Sequence, residues 1–226
     1  MFEKRSSCSL DGPIPPLGLL DYPSTMKFRE LAFQQFHACH WDTTVVMDWM
    51  LRTLLNSLMA DSASRIFLPK TQTRPFLLDD LLPFSAVEPS GRTRVPLAKT
   101  YLLSPAWSNK DTAAALHQAA TLPVEEVAGG ETIGVYLKEL NLAIVDTAVH
   151  ESLCIRFLGR GEALMDAYSL RDLARVIRTD GENWYVTEED GSVTYCPVLE
   201  PRMAALYRLG VERYCPELLP PDQEEV

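Results

Sequence analysis

Apolar positions in the first part of the chain recur at helical spacing. Phe28, Leu31 and Phe36 are followed by Val46, Met50, Leu54, Leu55 and Leu58, a recurrence every three or four residues that lines one face of a 3.6-residue turn. The spacing predicts two helices, about 27–40 and 43–61, with Asp42 and Thr43 as N-cap residues of the second. Residues 62–94 break the pattern with Pro69, Pro75, Pro83 and Pro89 and with the turn Glu88-Pro89-Ser90-Gly91, which predicts a long connection and a boundary near residue 90.

Beyond that boundary the period changes. Val95–Leu103 reads as a short extended segment punctuated by Pro96 and Pro105, and Ser108 with Asp111 resembles a capping box opening an Ala-rich helix to about Thr121. Strands are predicted at Ile133–Leu137, Leu142–Asp146 and Ala163–Tyr168. A helix at Glu151–Leu158 ends at Gly159 and Gly161, and Ser169 with Asp172 caps another through Ile177. Trp184–Thr187 and Ser192–Tyr195 flank Asp190-Gly191, a hairpin signal, and a last helix is predicted from about Arg202 to Leu209. Residues 1–25 hold Pro13, Pro15, Pro16 and Pro23 and read as an extended arm that could wrap the body through Leu17, Leu19, Leu20 and Tyr22; residues 219–226 read as a disordered tail. The expected fold class is α+β, a helical N-terminal part (residues 26–90) packed on a mixed α/β domain (residues 91–218).

Composition narrows the class of protein. A chain of 226 residues, 46% hydrophobic, can bury a sizeable core. No apolar run approaches the roughly 20 residues of a membrane span, and no apolar stretch of signal-peptide type precedes Pro13, so the expected location is the cytoplasm with no membrane partner. Five widely spaced cysteines without a CxxC pair point to reduced thiols rather than a disulfide framework or zinc ribbon. The formal charge is −10, and it is uneven: residues 131–226 carry 18 acidic and 9 basic residues. Gripping a phosphate backbone requires clustered Lys and Arg, so direct DNA or RNA binding is disfavoured.

The order of elements from Val95-Pro96-Leu97-Ala98-Lys99-Thr100-Tyr101, through the helix at 109–121 and the strand Leu142–Asp146, to Ala148-Val149-His150-Glu151 resembles the N-terminal domain of ParB and the related sulfiredoxin-like superfamily over about residues 92–180. In that superfamily the last motif is G-x-H-R or G-E-R-R, and nucleotide phosphates sit at this helix start. The resemblance implies a ParB/sulfiredoxin-like α/β domain, with His150 as catalyst or ligand and Val149, Glu151 and Ser152 at the phosphate site. Arg156 would be a charge partner, and Lys99 would approach from the opening segment. Physical chemistry agrees with such a role, since the first N–H groups of a helix attract anions and His donates or exchanges protons near neutrality. Two departures stand against it: the family's glycine is Ala148 and its arginine is Glu151, whose charge would need Mg2+ between it and a phosphate.

Two functions follow as expectations. The first is a nucleotide-phosphate-binding protein with hydrolase or phosphoryl-transfer activity, using Mg2+ with the nucleotide. The second is a non-catalytic regulatory or antitoxin-like module that meets a basic protein with its acidic C-terminal third; self-association is compatible with either. A ParB-type partition role lacks a helix-turn-helix beyond residue 180. Other candidates have simpler roles: Arg171, Arg175 and Arg178 form one helix face and read as solvated, and His37, Cys39 and His40 lack a fourth zinc ligand. Asp79-Asp80 reads as a helix start, Trp107 and Trp184 as core, and Cys154 as a core thiol. No Walker loop, GxGxxG or GxSxG is present.

Overall fold

Helix formation begins earlier than the apolar spacing predicts. In the computed structural model, which describes residues 21–64, 77–106, 108–121 and 127–219, the first helix α1 spans Tyr22–Ala38. Asp21 caps it by accepting a hydrogen bond from Ser24 N at 2.6 Å, and Pro23 lies in the first turn, where its missing N–H leaves no helical bond unmade. Residues 22–25, read from their proline as the end of the arm, are therefore helical. Residues 1–20 of the arm, 65–76 of the connection, Trp107 and the tail from 220 onward lie outside the described residues. The second helix, α2 (Thr44–Ser64), starts where Asp42 accepts from Thr44 N at 2.9 Å. A short α3 (Leu78–Leu81) interrupts the connection: Asp80 accepts from Leu77 N and holds the helix start, while Asp79 accepts from Ser85 N and ties the helix to the turn after it.

The remaining elements alternate. β1 (Arg92–Pro96) and β2 (Tyr101–Leu103) flank a 3-10 turn at Leu97–Lys99, followed by α4 (Asn109–Thr121), β3 (Thr132–Leu137) and β4 (Leu142–Val145). Then come α5 (Val149–Phe157), β5 (Glu162–Tyr168), α6 (Leu170–Val176), β6 (Ile177–Thr179), β7 (Asn183–Thr187), β8 (Val193–Pro197) and α7 (Pro201–Tyr214). Two boundaries differ from expectation. The helix from Leu170 stops at Val176 because Ile177 turns extended and opens β6, paired antiparallel with β7. The last helix runs five residues past Leu209, and Gly210 sits inside it. A Cβ there would lie 3.0 Å from Leu170 Cδ1 and 3.3 Å from Leu140 Cδ2, so this glycine permits close packing rather than ending the helix.

Five strands form one mixed sheet in the order β1-β5-β3-β4-β2, with β2/β4 and β3/β5 parallel and the other neighbours antiparallel. A second sheet, β6-β7-β8, is antiparallel throughout. The large sheet is covered on both faces. Along β4, Leu142 and Ile144 point into a core shared with α2, α6 and α7, while Ala143 and Val145 point into a second core built with α4 and α5. This alternation on a fully buried strand is what two covering layers demand. Among the described residues no separate core forms on the N-terminal side of residue 90: Leu51, Leu54, Leu55 and Leu58 of α2 share a cluster with Leu103, Leu137 and Ile144 of the sheet. Burying each such side chain contributes about 1.5–3 kcal/mol, so the helical part is bound to the sheet by the same forces that hold the sheet's own layers. Among the described residues no helix is long and apolar enough to cross a membrane.

Beside β4, β3 carries a register shift between Thr132 and Val135. Gly134 makes the irregularity possible, since a Cβ on it would stand 2.0 Å from the Ile144 carbonyl oxygen and 2.9 Å from Val145 Cα. Backbone atoms of a central strand cannot rotate away as a side chain can. Gly134→Ala is therefore expected to destabilise the fold by at least about 2 kcal/mol; a urea denaturation midpoint equal to that of the parent would refute this packing account.

Candidate functional site

Both parallel strands β2 and β4 run toward one edge of the large sheet. The chain leaves β2 through Ser104 to reach the start of α4, and leaves β4 through Asp146–Ala148 to reach the start of α5. Two helix N-termini thus open beyond the carboxyl ends of adjacent parallel strands, the position where open α/β sheets place ligands. Hydrogen bonds join them. Ser104 Oγ donates to the Val149 carbonyl, and Ser108 Oγ caps α4 by accepting from Asp111 N at 3.2 Å. Thr112 Oγ1 donates to the Ser108 carbonyl at 2.7 Å and lies 2.8 Å from His150 Nδ1. A threonine hydroxyl has one proton. With that proton committed to Ser108, the Thr112 oxygen is left to accept, and Nδ1 is the donor of the His150–Thr112 pair. His150, 9% exposed, is held in one tautomer by this chain of bonds.

The turn into α5 is strained. Ala148, its N-cap, has φ 50° and ψ 37°, the left-handed region that costs an L-residue with a Cβ about 1–2 kcal/mol. Glycine takes this conformation at no steric cost, whereas here the residue is Ala148. Asp146, two residues earlier, is bound through its backbone N–H to the Ile133 carbonyl, as is Thr147. Its side chain is exposed by area, yet desolvation by the surrounding structure raises its pKa above the ordinary 3.8. Backbone N–H groups of Asp146 and Thr147 oppose that rise, and the charge of Asp166 adds to it.

The expected site residues fall into two groups. Val149, His150, Glu151 and Ser152 stand together on the first turn of α5: Val149 is buried in the second core, Glu151 is exposed, and the buried Ser152 donates its hydroxyl to the Ala148 carbonyl at 2.8 Å. Arg156 and Lys99 belong to the other end of the helix. Arg156 lies six residues on from His150, about 9 Å along the axis, and Nη1 donates to the Leu97 carbonyl at 2.8 Å and to the Thr100 carbonyl, with Nη2 against Met59 Sδ. Burial lowers its pKa, and the side chain clasps α5 to the β1–β2 corner and α2. Lys99 is exposed on that same corner, with its carbonyl accepting from Asn141 Nδ2. The expectation that Arg156 and Lys99 converge with His150 is thus corrected: the parallel β2/β4 pair sends the corner carrying Lys99 to the opposite edge from the start of α5.

Sequence reasoning passed over Thr112, Ser104 and Asp146. Thr112 lies one position beyond the capping pair Ser108/Asp111, and Asp146 ends an otherwise apolar run, signals that become readable only once the two helix starts are known to meet. Elsewhere the simpler readings hold: Cys154 is buried, with burial raising its thiol pKa, and Trp184 is fully buried against Tyr207. Arg171 pairs with Glu217 and Arg175 with Asp172. Among the described residues no group of three or more His, Cys, Asp or Glu side chains is arranged to hold a metal ion. The chain matches no protein-family model, no curated protein and no solved structure.

Two outcomes follow. A carboxyl whose pKa is raised on folding favours the native state at low pH and penalises it as pH rises through the folded value. Asp146→Asn should therefore raise the melting temperature at pH 7 and leave it unchanged in acid below the aspartate range; equal gains at both would remove the electrostatic account. For the histidine, long-range 15N–1H spectra should show the Nδ1-protonated tautomer in the parent and loss of that preference in Thr112→Val. A parent spectrum dominated by the Nε2-protonated form would overturn the assignment.

Proposed function

We propose that the chain binds the phosphates of a nucleotide where the starts of α4 and α5 meet, in the manner expected of a divergent ParB/sulfiredoxin-like domain. One observation carries this reading: two helix N-termini, joined by the His150–Thr112 bond, lie beyond the carboxyl ends of β2 and β4. The partial positive ends of both helices face the same edge, and together they would stabilise an anion more than either could alone. The left-handed Ala148 supports it too, because conformational strain persists where surrounding structure enforces it, often at functional turns. In this reading His150 is anchored through Nδ1 by Thr112, and Nε2 takes a proton from a water that attacks the phosphoryl group. Hydrolysis or phosphoryl transfer is the corresponding reaction class.

Glu151 and Asp111 place acidic charge in both first turns, which weakens the field toward a bare phosphate. Magnesium fits this site only as an ion carried mainly by phosphate oxygens and waters, with one carboxylate from Glu151 or Asp146, a donor set it tolerates; it would supply charge neutralisation. Arg156 and Lys99 are left out of the binding turn, for the reasons of position given above.

A second reading, a regulatory module that meets a basic partner, rests on the β7–β8 hairpin. There Val193, Tyr195 and nearby Leu199 are 59%, 73% and 57% exposed, next to Glu188, Glu189 and Asp190. An exposed edge strand with an acidic turn is a suitable docking element.

Thermal shift with ATP, CTP and GTP, each with and without Mg2+, separates the two. A ligand at 100 times its Kd stabilises the native state by about 2.7 kcal/mol, which moves the melting temperature by several degrees in a chain of this size. The expected result is a shift with a Mg-nucleotide, abolished in His150→Ala and enlarged in Ala148→Gly, which also relieves about 1 kcal/mol of strain. No shift with any nucleotide, together with loss of capture on a basic protein matrix after Glu188→Gln, Glu189→Gln and Asp190→Asn, favours the second reading.

A further inference from the structure

On the sheet face opposite His150, a cavity of about 120 Å3 opens between α6, β6 and α7. Its walls are mainly apolar, formed by Ala174, Ile177, Val211, Leu218 and Leu219, and among the described residues its charged lining residues are Arg178 and Arg208. These two arginines differ from their neighbours. Arg171, Arg175, Arg202 and Arg213 each make an ion pair with a carboxylate, whereas among the described residues Arg178 and Arg208 make none. That is unexpected in the part of the chain where acidic residues outnumber basic ones two to one.

Two acids in the neighbourhood of Arg208 are already engaged. Asp180 and Glu212 share its surroundings at Tyr22. Asp180 accepts from Glu182 N, Asn183 N and the Tyr185 hydroxyl, and Glu212 is bound by Arg29. The two lining hydroxyls are committed as well: Tyr207 donates to the Ile177 carbonyl at 2.8 Å and Thr179 to the Asn183 carbonyl at 2.8 Å. Recognition of a polar ligand in this cavity therefore falls to the two guanidinium groups, whose planar donor sets match a carboxylate.

We propose that this cavity is a carboxylate-binding site, with Arg178 and Arg208 holding the head group and the apolar walls holding a short hydrocarbon tail. An apolar cavity of about 150 Å3 accommodates the six carbons of benzene, so a tail of about four to five carbons fits the smaller volume here. The carboxylate can come from a free acid or from this chain's own Asp222, Glu224 or Glu225, which follow the lining residue Leu219 by three to six positions. The site is independent of the nucleotide reading, since it lies on the other face of the sheet.

Titration of the 15N-labelled full chain with sodium hexanoate tests it, with hexanol as the uncharged control. Hexanoate should move the amide resonances of Ile177, Thr179 and Tyr207 saturably and hexanol should not. The double variant Arg178→Gln/Arg208→Gln should bind at least tenfold more weakly with an unchanged melting temperature. If the chain supplies its own carboxylate, the parent resists hexanoate, and the triple variant Asp222→Asn/Glu224→Gln/Glu225→Gln acquires saturable binding that the two arginine substitutions then remove. Absence of saturable binding in both parent and triple variant, equal binding of hexanol, or binding indifferent to the arginine substitutions would overturn the proposal.

Discussion

Four consecutive buried residues, Leu142–Val145, impose the constraint on which the rest of the molecule depends. A strand whose two faces are both inaccessible must have an apolar layer above and below, and each successive side chain must find a partner in the opposite layer. Leu142 and Ile144 require α2, α6 and α7; Ala143 and Val145 require α4 and α5. The small Ala143 allows α4 and α5 to sit low on their face, and the larger Leu142 and Ile144 fill the side occupied by the long helices. Removing water from both faces also leaves the strand's N–H and C=O groups no alternative to ladder bonds, so β2 and β3 must flank it.

That arrangement determines where two helix starts meet. With β2 parallel to β4, the chain leaves both strands at one edge and enters two helices there, and the short turns leave helix N-termini close together. The His150–Thr112 bond is a consequence of this juxtaposition rather than of any local motif. Gly134 lets β3 lie close against the Ile144 carbonyl, and Asp146 and Thr147 both donate to the Ile133 carbonyl just before the strained turn at Ala148. The same topology carries Arg156 and Lys99 to the far edge, where the Arg156 guanidinium ties α5 to the β1–β2 corner through two backbone carbonyls and meets α2 at Met59 Sδ.

Much of the fold was legible because local physical rules agree with the tertiary outcome. The caps at Asp42, Ser108 and Ser169 began helices where expected, and the Asp190-Gly191 turn joins two strands that pair antiparallel. The failures have local causes. Pro23 signals an extended chain unless the Asp21 cap is recognised, β6 is too short to show a period, and Gly210 carries no sign of the Leu170 methyl that approaches it. In the candidate site, His150 was legible through its place after a strand, while Thr112 was not, since 38 residues separate it from its partner.

Sequence alone therefore determined the inventory of elements, the solvent-averse positions and the excess of acid in the last third, because capping, periodicity and charge are properties of short windows of chain. Tertiary structure decided which candidates share a site, which arginines are neutralised, and that the helical segment and the sheet possess one continuous core. Those outcomes depend on strand order and parallelism, which arise from competition among long-range packings and leave no trace in any single segment.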